Sequence, residues 1–179
     1  MQVLGAALAL LLSTAQQFSP APAQTVPTRT APAHFAPVYV YDGSAVPAGA
    51  RVMTVPFEWG QSTSVVVVAT GLLPGRAYGA HVHQRACGLR PEDAGPHTQH
   101  RVDPVQPSVD PVYANPRNEV WLDFTTDRAG NAVSITTVPW RLSTRPAKSL
   151  VLHAEHTHTD PGHAGTAGAR VACAGLREG

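Results

Sequence analysis

The chain has 179 residues, 43% of them hydrophobic, and a formal net charge of +1 from 13 basic and 12 acidic side chains. That length fits one domain with a substantial core, and a balanced charge without a basic run excludes the polyanion-binding surfaces that recognise nucleic acid or anionic membranes. The 17 prolines and 15 glycines are scattered throughout, which disfavours long helices and favours strands joined by turns. At the front, Met1 to Leu12 form an apolar run too short to span a bilayer, and the small-residue sequence Ala21-Pro22-Ala23 follows. Residues 1–23 therefore read as a secretory signal, although no basic residue precedes the apolar run. Residues 24–37, rich in Pro, Ala and Thr, read as a flexible linker, leaving residues 38–179 as the folded domain. No later segment is long and apolar enough to cross a membrane as a helix, so the expected mature protein is soluble.

Within the domain, apolar or alternating runs bounded by Gly, Pro, Asn and Asp predict strands over 38–41, 51–59, 63–70 and 77–84. A second group is predicted over 119–126, 132–142, 150–155 and 170–176, with Asp127-Arg128-Ala129-Gly130-Asn131 as a turn. Eight short strands point to an all-β Greek-key sandwich or barrel. Two long irregular stretches, 85–118 and 156–169, interrupt the spacing, and loops of such length in a small domain are usually functional or disordered. Two cysteines, Cys87 and Cys173, are present. In an exported protein such a pair is most simply a disulfide, with two buried free thiols as the alternative.

His81-Val82-His83 lies inside the fourth predicted strand. Side chains two apart on a strand share a face, so both imidazoles point one way and Val82 the other, toward the core. His153 sits in the apolar run Leu150-Val151-Leu152-His153-Ala154, where a buried imidazole needs a partner. His97, in Gly95-Pro96-His97, lies in the long loop and is placed to close over a metal. Four imidazoles suit Cu(II) better than structural zinc, which usually recruits thiolates.

These residues resemble the copper/zinc superoxide dismutase family over most of the span from Val38 to Leu176. Gly71-Leu72-Leu73-Pro74-Gly75 leading into Ala80-His81-Val82-His83 is similar to the family's turn and strand carrying two copper ligands. Cys87 matches its first disulfide cysteine, Gly95-Pro96-His97 resembles the segment with its copper–zinc bridging histidine, and Val151-Leu152-His153-Ala154 matches the strand with the fourth copper ligand. The closing run from Gly165 to Cys173 resembles the family's ending, with Arg170 as its active-site arginine and Cys173 as the second cysteine. The resemblance implies an eight-stranded Greek-key sandwich, copper on His81, His83, His97 and His153, a Cys87–Cys173 disulfide and superoxide as substrate, while the signal segment implies a secreted, periplasmic or cell-envelope location. It also implies that Arg170 attracts and hydrogen-bonds the anion.

The family's zinc set looks incomplete here. Between His97 and Asn118 only His100 is added, with Asp103 and Asp110 as oxygen donors, so the expectation is a copper-only centre. An irregular zinc set of His97, His100, Asp103 and Asp110 is the alternative. The segment after His153 also departs from the pattern, carrying Glu155, His156, His158, Asp160 and His163, whose role the sequence leaves open. Two other readings compete with dismutation: a non-enzymatic copper-binding or copper-delivery protein on the same fold, and a structural sandwich whose histidines only pack.

Overall fold

A computed structural model of the chain describes residues 35 and 37–176. The expected signal segment, 1–23, and all but two positions of the expected linker, 24–37, lie outside the described residues. Eight strands form: β1 (Val38–Val40), β2 (Arg51–Trp59), β3 (Ser62–Thr70), β4 (Ala77–His83), β5 (Phe124–Thr125), β6 (Ala132–Val138), β7 (Ser149–His153) and β8 (Arg170–Gly175). Only two short 3-10 turns, Pro91–Ala94 and Leu142–Thr144, accompany them among the described residues. The all-β sandwich expected from the turn-rich sequence is therefore present, with strands arranged in two antiparallel sheets ordered β1-β8-β7-β4-β5 and β2-β3-β6.

The alternation read from the sequence places the core. Val52, Val65, Val67 and Ala69 of the smaller sheet pack against Tyr78, Ala80, Val82, Leu150, Leu152 and Ala172 of the larger one. The turn at 127–131 also forms, with Gly130 at φ +77°, a left-handed conformation that a side chain disfavours. On the other side of the larger sheet a small second cluster, Ala94, Val151 and Cys173, is covered by loop residues Tyr41 and Cys87.

Two strands differ from expectation by more than two residues at one end. The strand expected over 119–126 pairs regularly only at Phe124 and Thr125, while Trp121 and Glu119 make single bridges to His81 and Gln99. The reason is the partner: the loop residues 97–99 also compete for this edge, and His83 bridges His97 there. The strand expected over 132–142 ends at Val138, since Pro139 cannot donate to the ladder and Leu142–Thr144 turns into a 3-10 helix.

Candidate metal centre

Pairing of β4 with β7 sets Gly79 opposite His153 and His81 opposite Val151. With the period of two, His81, His83 and His153 all leave the larger sheet on the side away from the core, and Val82 enters the core. The loop 85–118 then returns along the strand edge, bridges His83 with His97, and drops the His97 ring over the first three. One ring nitrogen from each of His81, His83, His97 and His153 lies within 4.8 Å of all the others. The carbon skeleton of the sheet is close enough to this loop layer that Gly79 has no room for a side chain: a Cβ there would sit 2.6 Å from Ala167 Cβ.

The outer hydrogen bonds decide which nitrogen of each ring carries a lone pair. His83 Nδ1 donates to the Gly95 carbonyl at 2.8 Å and His153 Nδ1 to the Gly168 carbonyl at 3.3 Å. Carbonyls only accept, so in both rings Nε2 is left as the lone-pair nitrogen. Both Nε2 atoms are buried without a hydrogen-bond partner. His97 Nδ1 donates to Glu119 Oε2 at 2.8 Å, so Nε2 is the ring atom that faces His81. For His81 the deduction runs through a hydroxyl. Thr157 Oγ1 spends its one proton on Asp123 Oδ1 at 2.8 Å, so it must accept from His81 Nε2 at 2.6 Å, and His81 Nδ1 becomes the lone-pair nitrogen.

His81 Nδ1 and His97 Nε2 lie 3.0 Å apart, close enough to share one proton or to ligate one ion. The Nε2 lone pairs of His83 and His153 are orphaned buried acceptors, and a cation among the four rings removes their desolvation cost. The residues therefore fit a transition-metal ion, which imidazole nitrogens of this kind ligate. Electrostatics agree with the geometry. Burial, followed by the neighbouring His97, holds the pKa of His81 and of His83 well below the ordinary histidine value, and burial brings His153 to about 3. All three are neutral and free to ligate at neutral pH.

Arg170, at the start of β8, lines an open cleft with His97, His153, Gly168, Thr166 and Pro107. Its guanidinium donates to the carbonyls of Pro91 and Gly95, both at 2.8 Å, so its charge is held rigidly beside the quartet. Burial lowers its pKa from the ordinary arginine value, but a guanidinium starting so high remains charged.

Cys87 and Cys173 are joined in a disulfide, closing the alternative of two free thiols. It ties the loop 85–118 to β8, so the segment bearing His97 is anchored covalently to the strand bearing Arg170. His100, Asp103 and Asp110 lie outside the histidine group. The His100 ring stacks on Trp140, Asp103 accepts from Ser108 Oγ and Val105 N, and Asp110 accepts from Val112 N. Among the described residues, His100, Asp103 and Asp110 are thus not gathered with His97 into one group of ligand atoms. His156 turns to the Phe124 carbonyl at 3.1 Å, whereas His158 and His163 stand exposed at the loop surface.

Glu119, Asp123 and Thr157 were not among the residues singled out from sequence. Glu119 is buried and accepts from His97, Gln99 Nε2 and Trp121 Nε1. The signal for two of them was present: Glu119, Trp121 and Asp123 alternate with the core residues Val120, Leu122 and Phe124, which places the acids on the histidine side. Nothing local marks Thr157.

No protein-family model matches the chain, and no curated protein matches it in sequence. Solved structures do. A single-substitution variant of a SOD-like protein from Bacillus subtilis superposes with a TM-score of 0.51 at 17% identity, covering 71% of this chain and 95% of that one. Another structure of a SOD-like protein from Bacillus subtilis gives 0.49 at 15% identity over 80% and 98%. At such identity the likeness concerns the fold, an SOD-like β-sandwich, and the group of four histidines able to hold a metal ion is seen in this chain itself.

Proposed function

We propose that this protein is a copper-dependent superoxide dismutase that works outside the cytoplasm. The observation that carries the reading is the set of four ring nitrogens, from His81, His83, His97 and His153, gathered within 4.8 Å of one another beside the fixed cation of Arg170. An all-imidazole donor set suits copper, and copper when bound supplies the one-electron exchange by which two superoxide anions and two protons become dioxygen and hydrogen peroxide. The disulfide supports an oxidising compartment.

The chain's own residues supply binding and orientation. His81, His83 and His153 are held by backbone or relay hydrogen bonds on a sheet and form the permanent part of the donor set. His97 comes from a loop and is steered by Glu119, which makes it the member able to move. Arg170 draws the anion into the cleft and donates to it; its two carbonyl partners prevent the guanidinium from swinging away. Protons reach the cleft from solvent, because His81, His83 and His153 keep their ring protons committed to Thr157, Gly95 and Gly168. No role for zinc enters this scheme.

The deciding experiment combines metal analysis with a dismutation assay on the disulfide-intact protein after copper and zinc loading. One copper held by the quartet with activity, that equivalent and the activity both lost in H83A/H153A, is the expected result. Arg170→Ala should retain copper but lose about tenfold or more in rate at low ionic strength, with the deficit shrinking as salt screens the charge. Absence of copper binding overturns the reading. Tight copper without turnover would instead establish a copper-binding protein on this fold, the reading that the exposed His158 and His163 favour.

A further inference from the structure

Outside the buried quartet, the loop between β7 and β8 gathers a second group of side chains able to ligate metal. Asp160 Oδ2 lies 2.7 Å from His163 Nδ1, and Asp160 Oδ1 lies 4.0 Å from His158 Nδ1. Glu155 Oε2 is 3.3 Å from His158 Nε2, on the other side of that ring. The backbone beneath them is cross-tied: His158 N donates to Thr166 O at 2.8 Å, Gly165 N to His158 O at 2.9 Å, Thr166 N to His163 O at 2.9 Å, and His163 N to Asp160 O at 3.1 Å. The three side chains thus rise from positions fixed relative to one another, while all three remain exposed. Exposed ion pairs contribute little to stability, so folding alone gives no reason for two imidazoles to flank one carboxylate here.

We propose that His158, Asp160 and His163 form a second, surface site for a divalent transition-metal ion, Cu(II) or Zn(II), separate from the buried quartet. Two imidazole nitrogens and a carboxylate oxygen are a donor set these ions accept, whereas calcium and magnesium require a shell made of oxygens. Asp160 and His163 are hydrogen-bonded at 2.7 Å, and an ion would take the place of the proton between them. His158 completes the set by a side-chain rotation that brings Nδ1 inward, and an exposed ring makes such a rotation without backbone movement. The site also has a consequence for the quartet: His158 follows Thr157, whose hydroxyl fixes the His81 ring, so an ion here would fasten the loop that covers the buried centre.

The test is equilibrium dialysis of the full chain against Cu(II), and separately Zn(II), followed by metal analysis. Wild type should bind two equivalents of Cu(II) and H158A/H163A one. D160N should weaken the surface equivalent about tenfold or more, since a ligand counts for at least as much as the partners that orient it. H156A should change neither, because the His156 ring is turned to Phe124 O. H83A/H153A should keep the surface equivalent, which separates failure of the buried centre from failure of this one. Retention of full stoichiometry in H158A/H163A overturns the proposal. So does an equal loss in H156A, which would mean a diffuse histidine-rich loop.

Discussion

The two sheets of the sandwich are built from similar alternating strands and end in different situations. In the three-stranded sheet, β3 shows strict alternation of buried and half-buried residues, and the outer face leaves Phe57, Trp59, Val133 and Ile135 largely exposed. In the five-stranded sheet, β7 is buried at every position and β4 at all but its first. The difference is a third layer, made by the two long loops, laid on the outer face of the larger sheet only. Polar groups enclosed between a sheet and a loop layer need partners, and His83 and His153 depart from this: Nδ1 of each is partnered and Nε2 is not. A sandwich face becomes a site here by being roofed.

Breaking the roof should have the largest effect. The Cys87–Cys173 bridge spans 86 residues and pins the first loop to β8. Its removal in C87S/C173S should cost about 4–5 kcal/mol by the chain-entropy argument, read from urea midpoints, and should loosen metal binding as well. A loss below about 1 kcal/mol would mean that the roof holds without the staple.

Acid should attack the same region. His153 has its pKa brought from 6.5 to about 3 by burial, and His81 and His83 are lowered in the same direction. Unfolding returns these rings to ordinary values near 6.5, so below that pH the unfolded chain binds more protons than the folded one. The metal-free protein should therefore be fully stable above about pH 6.5 and lose stability progressively as the pH falls toward about 3. A urea midpoint that stays level across that window would show the histidines to be open to solvent.

A methyl group at the seam is the next probe. Gly79→Ala places a carbon 2.5 Å from Glu155 O and 2.6 Å from Ala167 Cβ, so the second loop must lift. The expected loss is about 1–3 kcal/mol, the usual range for overpacking, together with weaker copper binding. Thr157→Val is more selective. It removes the relay to Asp123 without a change in size, frees the His81 tautomer, and should weaken copper about 10–100-fold and shift the Cu(II) visible and EPR spectra. Thr157→Ser should restore both; a spectrum unchanged in the valine variant would deny the relay any part in orienting His81.

The smallest effect belongs on the open sheet. Ile135 is 66% exposed with no layer above it, so Ile135→Thr should alter stability by no more than about 0.5 kcal/mol and leave metal binding untouched. A larger change would reveal that this face too is covered.

Much of the architecture could be read before any coordinates. Period-two patterns in β2, β3 and β4, and the Gly-Asn turn before β6, are local signals, and the structure follows them closely. The strand expected over 119–126 was shortened because its pairing depends on which segment returns beside it, and the loop residues 97–99 take part of that edge. The spacing of His81 and His83 guarantees a shared face, since a strand admits no other arrangement. Whether His97 reaches that face is a matter of loop closure, and Gly95 and Pro96 alone do not determine it. Glu119 and Asp123 were legible as acids on the histidine side of a strand, yet their partners were not.

The sequence by itself determined the secondary structure, the inward and outward sides of each strand, and the presence of three sheet histidines, because these follow from side-chain alternation and turn chemistry within a few residues. Tertiary structure decided the rest: the ring of His97 over the other three, the Cys87–Cys173 bond across 86 residues, and the outer hydrogen-bond partner of each imidazole in the quartet. A ring nitrogen gains or loses its proton according to the group that meets it, and for His81 that group is Thr157, 76 positions away along the chain.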